Sequence, residues 1–251
     1  MTHADIGVFG GSGLYTFLDD VEEHAVATPF GDPSAPVMIG VLGDVRVAFI
    51  PRHGQHHEFP PHRVNYRANV AAMQTLGVRA LLAPFAAGSL QSTIHPGDFV
   101  VVDQFVDRTS GRRDTFYDTF DDGPTHVSLA DPYDEHLRRE LIAVSSELGI
   151  RVHDRGTVVV VQGPRFSTRA ESAWYRSQGW DVINMTQYPE AALACEAGIP
   201  YGAVALITDY DTGLEGAPGV EPVTQEQVFG FFEANVHRVR DVLFAVIPRL
   251  T

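Results

Sequence analysis

The sequence predicts an α/β protein in which one mixed, twisted β-sheet is flanked by helices on both faces. Several short runs are apolar and rich in β-branched residues throughout, as expected for strands that are buried on both sides. Segments with helical spacing of their apolar residues separate these runs. The length of 251 residues is sufficient for one large domain, and we expect residues 1–251 to form it.

The predicted strands end in glycine or polar residues. They are ADIGVFGG, VRVAFIPRHG, RALLAPFAAGS, GDFVVVDQFVD, GTVVVVQGPRF, DVINMT and YGAVALITDYD. Ligands of open α/β sheets collect at the carboxyl ends of the strands. We therefore expect the functional residues at these ends.

Other segments predict helices. VNYRANVAAMQTLG ends at Gly77, which is typical of a helix C-terminus. PEAALACEAG has Pro189 at its start and Gly198 after its end. TQEQVFGFFEANVHRVRDVLFAVI predicts a long amphipathic C-terminal helix. The segment Asp103–Pro132 is rich in Asp, Thr and Gly, and we expect irregular surface structure there.

Composition and charge exclude several functional classes. The formal net charge of −14 and the lack of a basic stripe argue against binding to nucleic acid or to an anionic membrane. No apolar run approaches the ~20 residues that span a bilayer. The N-terminus has no signal-peptide pattern, and the single cysteine, Cys195, predicts a reducing, cytoplasmic location. A small anion such as phosphate remains compatible, because it needs only local donors.

Two strand ends carry groups that suit an anion. In the loop after the first strand, Gly10, Gly11 and Gly13 can turn backbone N–H groups toward an anion, and Ser12 adds a hydroxyl. A plain tight turn is the alternative, and the spacing matches neither G-x-G-x-x-G nor a P-loop. After the second strand, the planar guanidinium of Arg52 suits phosphate.

His53, which follows Arg52, could donate to the same anion. A solvated loop, or a metal site that also uses His56, His57 and His62, is the alternative. Because these histidines lack the regular spacing of zinc ligands, we expect no metal.

Other strand ends suggest further roles. Thr186 could add a hydroxyl donor near a helix N-terminus, or it could be a capping threonine. Asp209 and Asp211, one residue apart, would share one side of an extended segment, where burial beside a like charge raises a carboxyl pKa. A solvated turn is the alternative. Phe166 and Ser167 offer an aromatic face and a hydroxyl to a planar base, or they pack in the core.

A set of linked motifs identifies a family resemblance. The motifs are GVFGGSGLY, PRHGQHHEFPPHRVNYRANV, AAGSLQSTIHPGDFVVVDQFVDRT, GPRFSTRAES, DVINMTQYPEA and ITDYD. Their order and approximate spacing resemble those of the 5′-methylthioadenosine phosphorylases, which belong to the trimeric purine nucleoside phosphorylase family. The resemblance extends from about residue 6 to the C-terminal helix.

The resemblance implies phosphorolysis of 5′-methylthioadenosine, and of adenosine as well, to adenine and a 5-substituted ribose 1-phosphate in purine and methionine salvage. It implies a homotrimer with sites near subunit interfaces, inorganic phosphate as co-substrate and no cofactor. The implied phosphate-binding residues are Ser12, Arg52, His53, Ala86 and Thr186. The implied substrate-binding residues are Phe166, Ser167, Met185, Gln225, Val228 and, from a neighbouring subunit, His126.

Catalytic roles are implied for Asp209 and Asp211. Asp209 would be protonated and would donate to the imidazole ring of the departing adenine. Asp211 would accept a hydrogen bond from the exocyclic amino group, so that the carbonyl of a 6-oxopurine would be repelled. Relatives that prefer 6-oxopurines lack this pair of aspartates.

Two positions depart from the methylthioadenosine pattern. Phe85 stands where these enzymes usually carry a phosphate-binding threonine. Gln225 falls where an apolar residue of the methylthio pocket is expected, whereas Val228 and Phe229 keep that region apolar. We therefore expect weaker discrimination against adenosine than in typical methylthioadenosine phosphorylases.

The sequence leaves several alternative functions open. A phosphorylase of the same fold could act on 6-oxopurine nucleosides or on 5′-methylthioinosine. A nucleoside hydrolase would require an aspartate-rich cluster near the N-terminus, which GGSGLYTFLDD does not resemble. A purine-binding module without turnover is the non-enzymatic alternative.

Overall fold

A computed structural model describes residues 2–11, 14, 18, 20–120, 123–212 and 224–250. Within these residues, eleven strands form one mixed sheet. The strands are β1 Ile6–Gly10, β2 Glu22–His24, β3 Val37–Leu42, β4 Val45–Pro51, β5 Ala80–Ser89, β6 Phe99–Val101, β7 Gln104–Arg108, β8 Val152–His153, β9 Thr157–Val161, β10 Val182–Asn184 and β11 Tyr201–Asp209.

The described helices follow single strands or groups of strands along the chain. They are α1 Tyr66–Thr75, α2 Glu135–Glu147, α3 Arg169–Ser177, α4 Gln187–Glu196 and α5 Gln225–Val246, with short 3₁₀ turns at Pro61–Arg63 and Ile247–Arg249. Gly77 and Gly198 have positive φ after α1 and α4, which confirms the predicted glycine ends of both helices.

The long strand β5 organises the sheet. Along one edge it pairs in parallel with β11 over almost its whole length. On the other edge, its first residues pair in parallel with β1, and its last residues pair antiparallel with β10. The register leaves residues 83–87 of β5 between β1 and β10. The two neighbouring strands therefore diverge at the end of the sheet where the predicted polar residues lie.

Helices cover both faces of the sheet, as predicted. Alternate residues of β11 point to opposite sides because side chains alternate along a strand. Ala203 and Ala205 join a buried cluster with residues of α1 and α4. Val204 and Leu206 join a second cluster with residues of α2 and α5. The continuous apolar runs in the sequence therefore reflect burial on both faces.

Several elements differ from the sequence prediction. The run GDFVVVDQFVD is not one strand, since β6 pairs with β11 and β7 pairs with β9. Because β7 lies within Asp103–Pro132, the prediction of irregular structure was wrong for Gln104–Arg108. The remaining described residues of that segment have no regular structure. Five further elements were not predicted from the sequence: β2, β3, β8, α2 and α3.

The helix α2 shows why the sequence pattern does not reveal some of these elements. Its N-terminus is capped by Asp134, whose side chain accepts a hydrogen bond from the backbone N–H of Leu137. Only a narrow stripe of α2 is buried, and charged residues dominate the rest of its surface. None of the helices in the described part of the chain has the length and hydropathy that a bilayer-spanning segment requires.

Candidate active site

A cavity of about 190 Å³ opens where β1 and β10 diverge beside β5. Its walls come from the carboxyl ends of β1, β4, β9, β10 and β11, from residues 85–88 of β5, and from the start of α5. It therefore lies where the strand pattern predicted functional residues. Most of the residues chosen from the sequence line it: Arg52, His53, Ala86, Phe166, Ser167, Met185, Thr186, Asp209, Asp211, Gln225 and Val228.

The glycine loop after β1 forms one end of the cavity. Gly11 lies so close to β5 that a Cβ atom there would be 3.1 Å from the carbonyl oxygen of Pro84 and 3.5 Å from Nη1 of Arg52. A side chain would thus crowd the space beside the arginine. Ser12, the predicted hydroxyl donor of this loop, lies outside the described residues.

Arg52 is held by a buried network directly after β4. Its Nε donates to Oε2 of Glu190 at 2.5 Å and its Nη2 donates to Oε1 at 2.8 Å. The hydroxyl of Tyr201 donates to the same Oε1 at 2.7 Å. Burial by itself would lower the pKa of Arg52, but the Glu190 carboxylate outweighs it and holds that pKa above its usual value. Glu190 was not predicted to have a functional role.

His53 is buried beside Arg52 with one ring nitrogen already engaged. Nδ1 lies 2.8 Å from the carbonyl oxygen of Phe59. Burial lowers the pKa of His53 to about 3, and the positive charge of Arg52 acts in the same direction. The ring stacks on His57 with centroids 4.4 Å apart. His53 is therefore neutral at physiological pH.

The histidine-rich loop does not assemble a metal site in the described structure. Among the described residues, no three His, Cys, Asp or Glu side chains are grouped so that they could hold a metal ion. Instead, His57 lies between the ring of His53 and the edge of Phe229 from α5. The loop thus joins the β4 end of the cavity to the C-terminal helix.

The segment after β10 contributes Asn184, Met185 and Thr186. Oδ1 of Asn184 accepts from the backbone N–H groups of Thr186 at 2.5 Å and Gln187 at 2.8 Å. Its Nδ2 donates to the carbonyl oxygen of Ala86 at 3.2 Å, which ties this turn to β5. Thr186 occupies the N-cap position of α4 but makes no side-chain capping bond. Its buried hydroxyl donates instead to Oδ1 of Asn184 at 3.3 Å, a long hydrogen bond that an anion in the cavity can replace.

Asp209 lies at the opposite end of the cavity, where β11 ends. An irregularity in the β5–β11 register sets Ile207 opposite Ala87 and Asp209 opposite Gly88. In a regular strand, neighbouring side chains point to opposite faces, whereas here Thr208 and Asp209 both line the cavity. The hydroxyl of Thr208 donates to Oδ1 of Asp209 at 2.6 Å.

The two aspartates share the cavity, but not by the geometry that the sequence suggested. Asp211 lies in a turn with φ of 25°, so the assumption of an extended segment was wrong. Burial, assisted by the charge of Asp211, raises the pKa of Asp209 to about 6. Burial also raises the pKa of Asp211. Oδ2 of Asp211 is buried without a hydrogen-bond partner.

Gly88 allows this arrangement. A Cβ atom at this position would lie 2.9 Å from Oδ2 of Asp209 and 3.2 Å from Cα of Asp211. The close approach of β5 to the turn after β11 thus requires glycine. No role was predicted for Gly88 from the sequence, because the contact joins segments that are far apart in the chain.

The middle of the cavity has an apolar wall with few polar groups. Phe166 is 37% exposed and lines the cavity rather than packing in the core. The hydroxyl of Ser167 is buried without a partner. Gln225, Val228 and Phe229 come from the first turns of α5. A planar ring of suitable size would contact the apolar wall and leave its edges to the polar groups.

Phe85 and His126 differ in their relation to the cavity. Phe85 lines the cavity beside the glycine loop and is almost fully buried in the core formed with α1 and α4. His126 is exposed, contacts Phe120 and does not line the cavity of its own chain. Its role in a neighbouring subunit stays a prediction.

Comparisons with known proteins identify the family of this chain. A family model described as the phosphorylase superfamily matches residues 5–248. The chain belongs to the phosphorylase superfamily. The family resemblance identified from the sequence motifs is thereby confirmed.

Individual relatives are similar over nearly the whole chain. An S-methyl-5′-thioadenosine phosphorylase of Mycolicibacterium smegmatis is 51% identical, with 96% of this chain and 90% of the relative covered. A purine nucleoside phosphorylase of Streptomyces coelicolor is 49% identical, with 98% and 89% covered. The solved structure of a methylthioadenosine phosphorylase from Schistosoma mansoni in complex with adenine superimposes with a TM-score of 0.92 at 38% identity, with 98% and 92% covered.

Proposed function

We propose that this protein catalyses the phosphorolysis of 5′-methylthioadenosine and adenosine, releasing adenine and a 5-substituted ribose 1-phosphate. The main support for this proposal is the arrangement of polar groups in the cavity. The anion donors Arg52 and Thr186 line one end, and the carboxyl groups of the half-buried Asp209 and the buried Asp211 line the other. Relatives that are named methylthioadenosine phosphorylases support the same reaction.

At the phosphate end, Arg52, His53, Thr186 and the backbone at Ala86 bind inorganic phosphate, together with Ser12. Phosphate attacks the anomeric carbon as the glycosidic bond breaks through an oxocarbenium-like state. The negative charge of the bound phosphate stabilises that cation and then captures it. The phosphate is a co-substrate, and the proposed reaction uses no cofactor.

At the purine end, Asp209 supplies the proton that adenine needs in order to leave. A carboxyl pKa of about 6 keeps the proton on Asp209 to a higher pH than an ordinary carboxyl group does, and the group remains acidic enough to release the proton to the imidazole ring. Asp211 accepts a hydrogen bond from the exocyclic amino group, for which its buried, unpartnered Oδ2 is suited. Phe166, Ser167 and Met185 contact the base and ribose.

The 5′ substituent lies near the start of α5. Val228 and Phe229 offer apolar contacts to a methylthio group, and Gln225 offers a hydrogen bond to a 5′-hydroxyl. This mixture supports acceptance of adenosine beside methylthioadenosine. If Gln225 were replaced by an apolar residue, the lining around Val228 would favour the thioether substrate more strongly.

We further propose a cytoplasmic homotrimer in which residues 1–251 form one nucleoside phosphorylase domain. His126 would reach the site of a neighbouring subunit. Its segment is exposed and carries apolar side chains that an interface would cover, namely Tyr117, Phe120, Val127 and Leu129. Sedimentation equilibrium tests the trimer, and a monomer at assay concentration would contradict it.

A second candidate is phosphorolysis of 6-oxopurine nucleosides, which the similarity to a purine nucleoside phosphorylase favours. The deciding experiment measures base release from methylthioadenosine, adenosine, methylthioinosine and inosine, each with and without phosphate. We expect phosphate-dependent release of adenine and little release of hypoxanthine. Efficient release of hypoxanthine would contradict the role given to Asp211, and release without phosphate would indicate a hydrolase.

A further inference from the structure

The charge of the arginine at the phosphate end is already compensated within the protein. Two nitrogen atoms of Arg52 donate to the Glu190 carboxylate, and the two side chains are 1% and 0% exposed. At contact distance and away from water, the paired charges largely cancel in their effect on a ligand. Arg52 therefore offers hydrogen bonds to phosphate, but the pair brings little net positive charge.

The neighbouring histidine has a defined tautomer. A backbone carbonyl oxygen can only accept a hydrogen bond, so the 2.8 Å contact with Phe59 places the hydrogen of neutral His53 on Nδ1. Nε2 is then unprotonated and carries a lone pair. Since His53 lines the cavity and Nδ1 is engaged, Nε2 is the ring nitrogen that can meet a ligand there.

The surroundings of His53 oppose a permanent positive charge. Arg52 and His57 both act to lower the pKa of the ring, in addition to burial. Neither nearby carboxylate compensates for this. The carboxylate of Glu58 is exposed and accepts from the backbone N–H of His56, and the carboxylate of Glu190 is paired with Arg52.

Among the described residues, the other elements that line the cavity near His53 contribute uncharged groups. Phe85 and Ala86 come from β5, and Val228 and Phe229 come from α5. A phosphate dianion placed against Nε2 would therefore bring two negative charges toward a lone pair. Only a proton between the two groups turns that contact into a hydrogen bond.

We infer that phosphate binds with one proton held between a phosphate oxygen and Nε2 of His53, so that the site takes the phosphate monoanion or binds the dianion together with a proton. This inference rests on the proposed function, because it takes phosphate as the ligand at this end of the cavity. It makes His53 a determinant of the ionisation state of the anion. Glu190 acts as a positioning residue that orients Arg52 and removes its net charge.

Phosphate affinity is then linked to pH in a defined way. Above the second pKa of phosphate, each binding event takes up one proton from solution. The dissociation constant of phosphate rises about tenfold per pH unit in that range. Sulfate carries no proton, so its binding requires His53 to take up a proton from solution. The dissociation constant of sulfate therefore rises with pH across the whole range.

Calorimetric titration of the free protein with inorganic phosphate, and separately with sulfate, between pH 6 and about 9 tests this linkage. The proteins compared are the wild type, His53→Gln and His57→Asn. The amide group of glutamine can donate to a dianion without taking up a proton. We therefore expect the pH dependence of phosphate binding above neutrality to disappear in His53→Gln and to persist in His57→Asn.

The outcomes separate this inference from the proposed function. Phosphate binding by the wild type with the same affinity at pH 7 and about 9 would overturn the inference and leave the phosphate site intact. Loss of the pH dependence in His57→Asn, with its persistence in His53→Gln, would also overturn the inference, because the proton would then belong to His57. Failure to bind phosphate at any pH would overturn the proposed function itself.

Discussion

The two ends of the cavity differ in how far their polar groups are satisfied without a ligand. At the phosphate end, Arg52, Glu190 and Tyr201 form a closed network in which each has a protein partner. At the purine end, Oδ2 of Asp211 is buried with no partner, and the same is true of the hydroxyl of Ser167 in the adjoining middle of the cavity. Unsatisfied buried groups are costly, and native structures keep few of them.

In the proposed reaction, this difference indicates a division of tasks. The phosphate end holds its donors in place before the anion arrives, which removes the cost of ordering them during the reaction. The purine end leaves groups that only a complementary base edge satisfies, which allows a wrong base to be rejected. Positioning thus belongs to the closed network, and discrimination belongs to the incomplete one.

The largest effect is expected from breaking the closed network. Glu190→Gln leaves the buried guanidinium of Arg52 without its counter-charge, and we expect it to lower the free energy of unfolding by about 3–5 kcal/mol. Urea denaturation measures this change. The matched control is the double variant Arg52→Met, Glu190→Leu, which we expect to regain much of the stability but no phosphorolysis. A stable and fully active Glu190→Gln protein would contradict the positioning role.

The next largest effect concerns the proton donor. Asp209→Asn removes the acidic proton while keeping the shape of the side chain, and we expect kcat/KM for methylthioadenosine to fall by about 10²–10⁴-fold. Phosphate binding, measured by calorimetry, should be unchanged because the two ends are separate. A loss below tenfold would contradict general acid catalysis by this residue.

The pH profile sharpens the same assignment. Because burial raises the pKa of Asp209 from 3.8 to about 6, the folded protein binds this proton more tightly than the unfolded chain does. The contribution of Asp209 to the free energy of unfolding is therefore full below pH 3.8 and is lost as pH rises to about 6. At saturating phosphate, kcat/KM for the nucleoside should fall above pH 6, and Asp209→Asn should lack this limb.

A smaller effect is expected at the incomplete network. Asp211→Asn replaces an obligatory acceptor with a group that can also donate to the carbonyl of a 6-oxopurine. We expect the ratio of kcat/KM for methylthioadenosine over methylthioinosine to fall by about 10–200-fold, a difference of about 1–3 kcal/mol. Competition between the two nucleosides in one assay measures the ratio. An unchanged ratio would place base discrimination elsewhere.

The smallest effect is expected at the start of α5. Gln225→Leu removes the polar group near the 5′ position and should raise the preference for methylthioadenosine over adenosine by about 1–2 kcal/mol, or roughly tenfold. The readout is the ratio of the two kcat/KM values. Gln227→Leu is the control, since Gln227 belongs to the capping box of α5 and does not line the cavity. An equal change in both variants would indicate a helix effect rather than a contact with substrate.

Much of the site could be predicted because it follows strand ends. Arg52 comes directly after β4, Thr186 follows β10, and Asp209 ends β11, so the pattern of buried strands alone indicates where these residues lie. The family motifs imply the roles that are proposed for these residues. The assumption about Asp211 was wrong in its geometry, because a positive φ in a turn leaves no trace in the alternation of apolar residues.

For other residues of the site, the sequence pattern gives no indication of their role. Glu190 resembles any acidic residue in the first turn of a helix, and nothing near it in the chain indicates a partner. Asn184 has the character of a helix-capping residue, but its second bond, to Ala86 on β5, depends on the fold. Gly88 reads as one small residue in an apolar strand until the turn after β11 is placed against it.

By itself, the sequence determined the class of fold, the strand ends that carry chemistry and the family, because burial on two faces and linked motifs are visible in local patterns. Only the tertiary structure decided that Arg52 is neutralised by a residue 138 positions away, that Nδ1 of His53 is engaged by Phe59, and that a strand irregularity turns Asp209 into the cavity. The physical reason is that charge balance, tautomer and pKa depend on which distant groups lie within a few ångströms, and packing alone sets those distances.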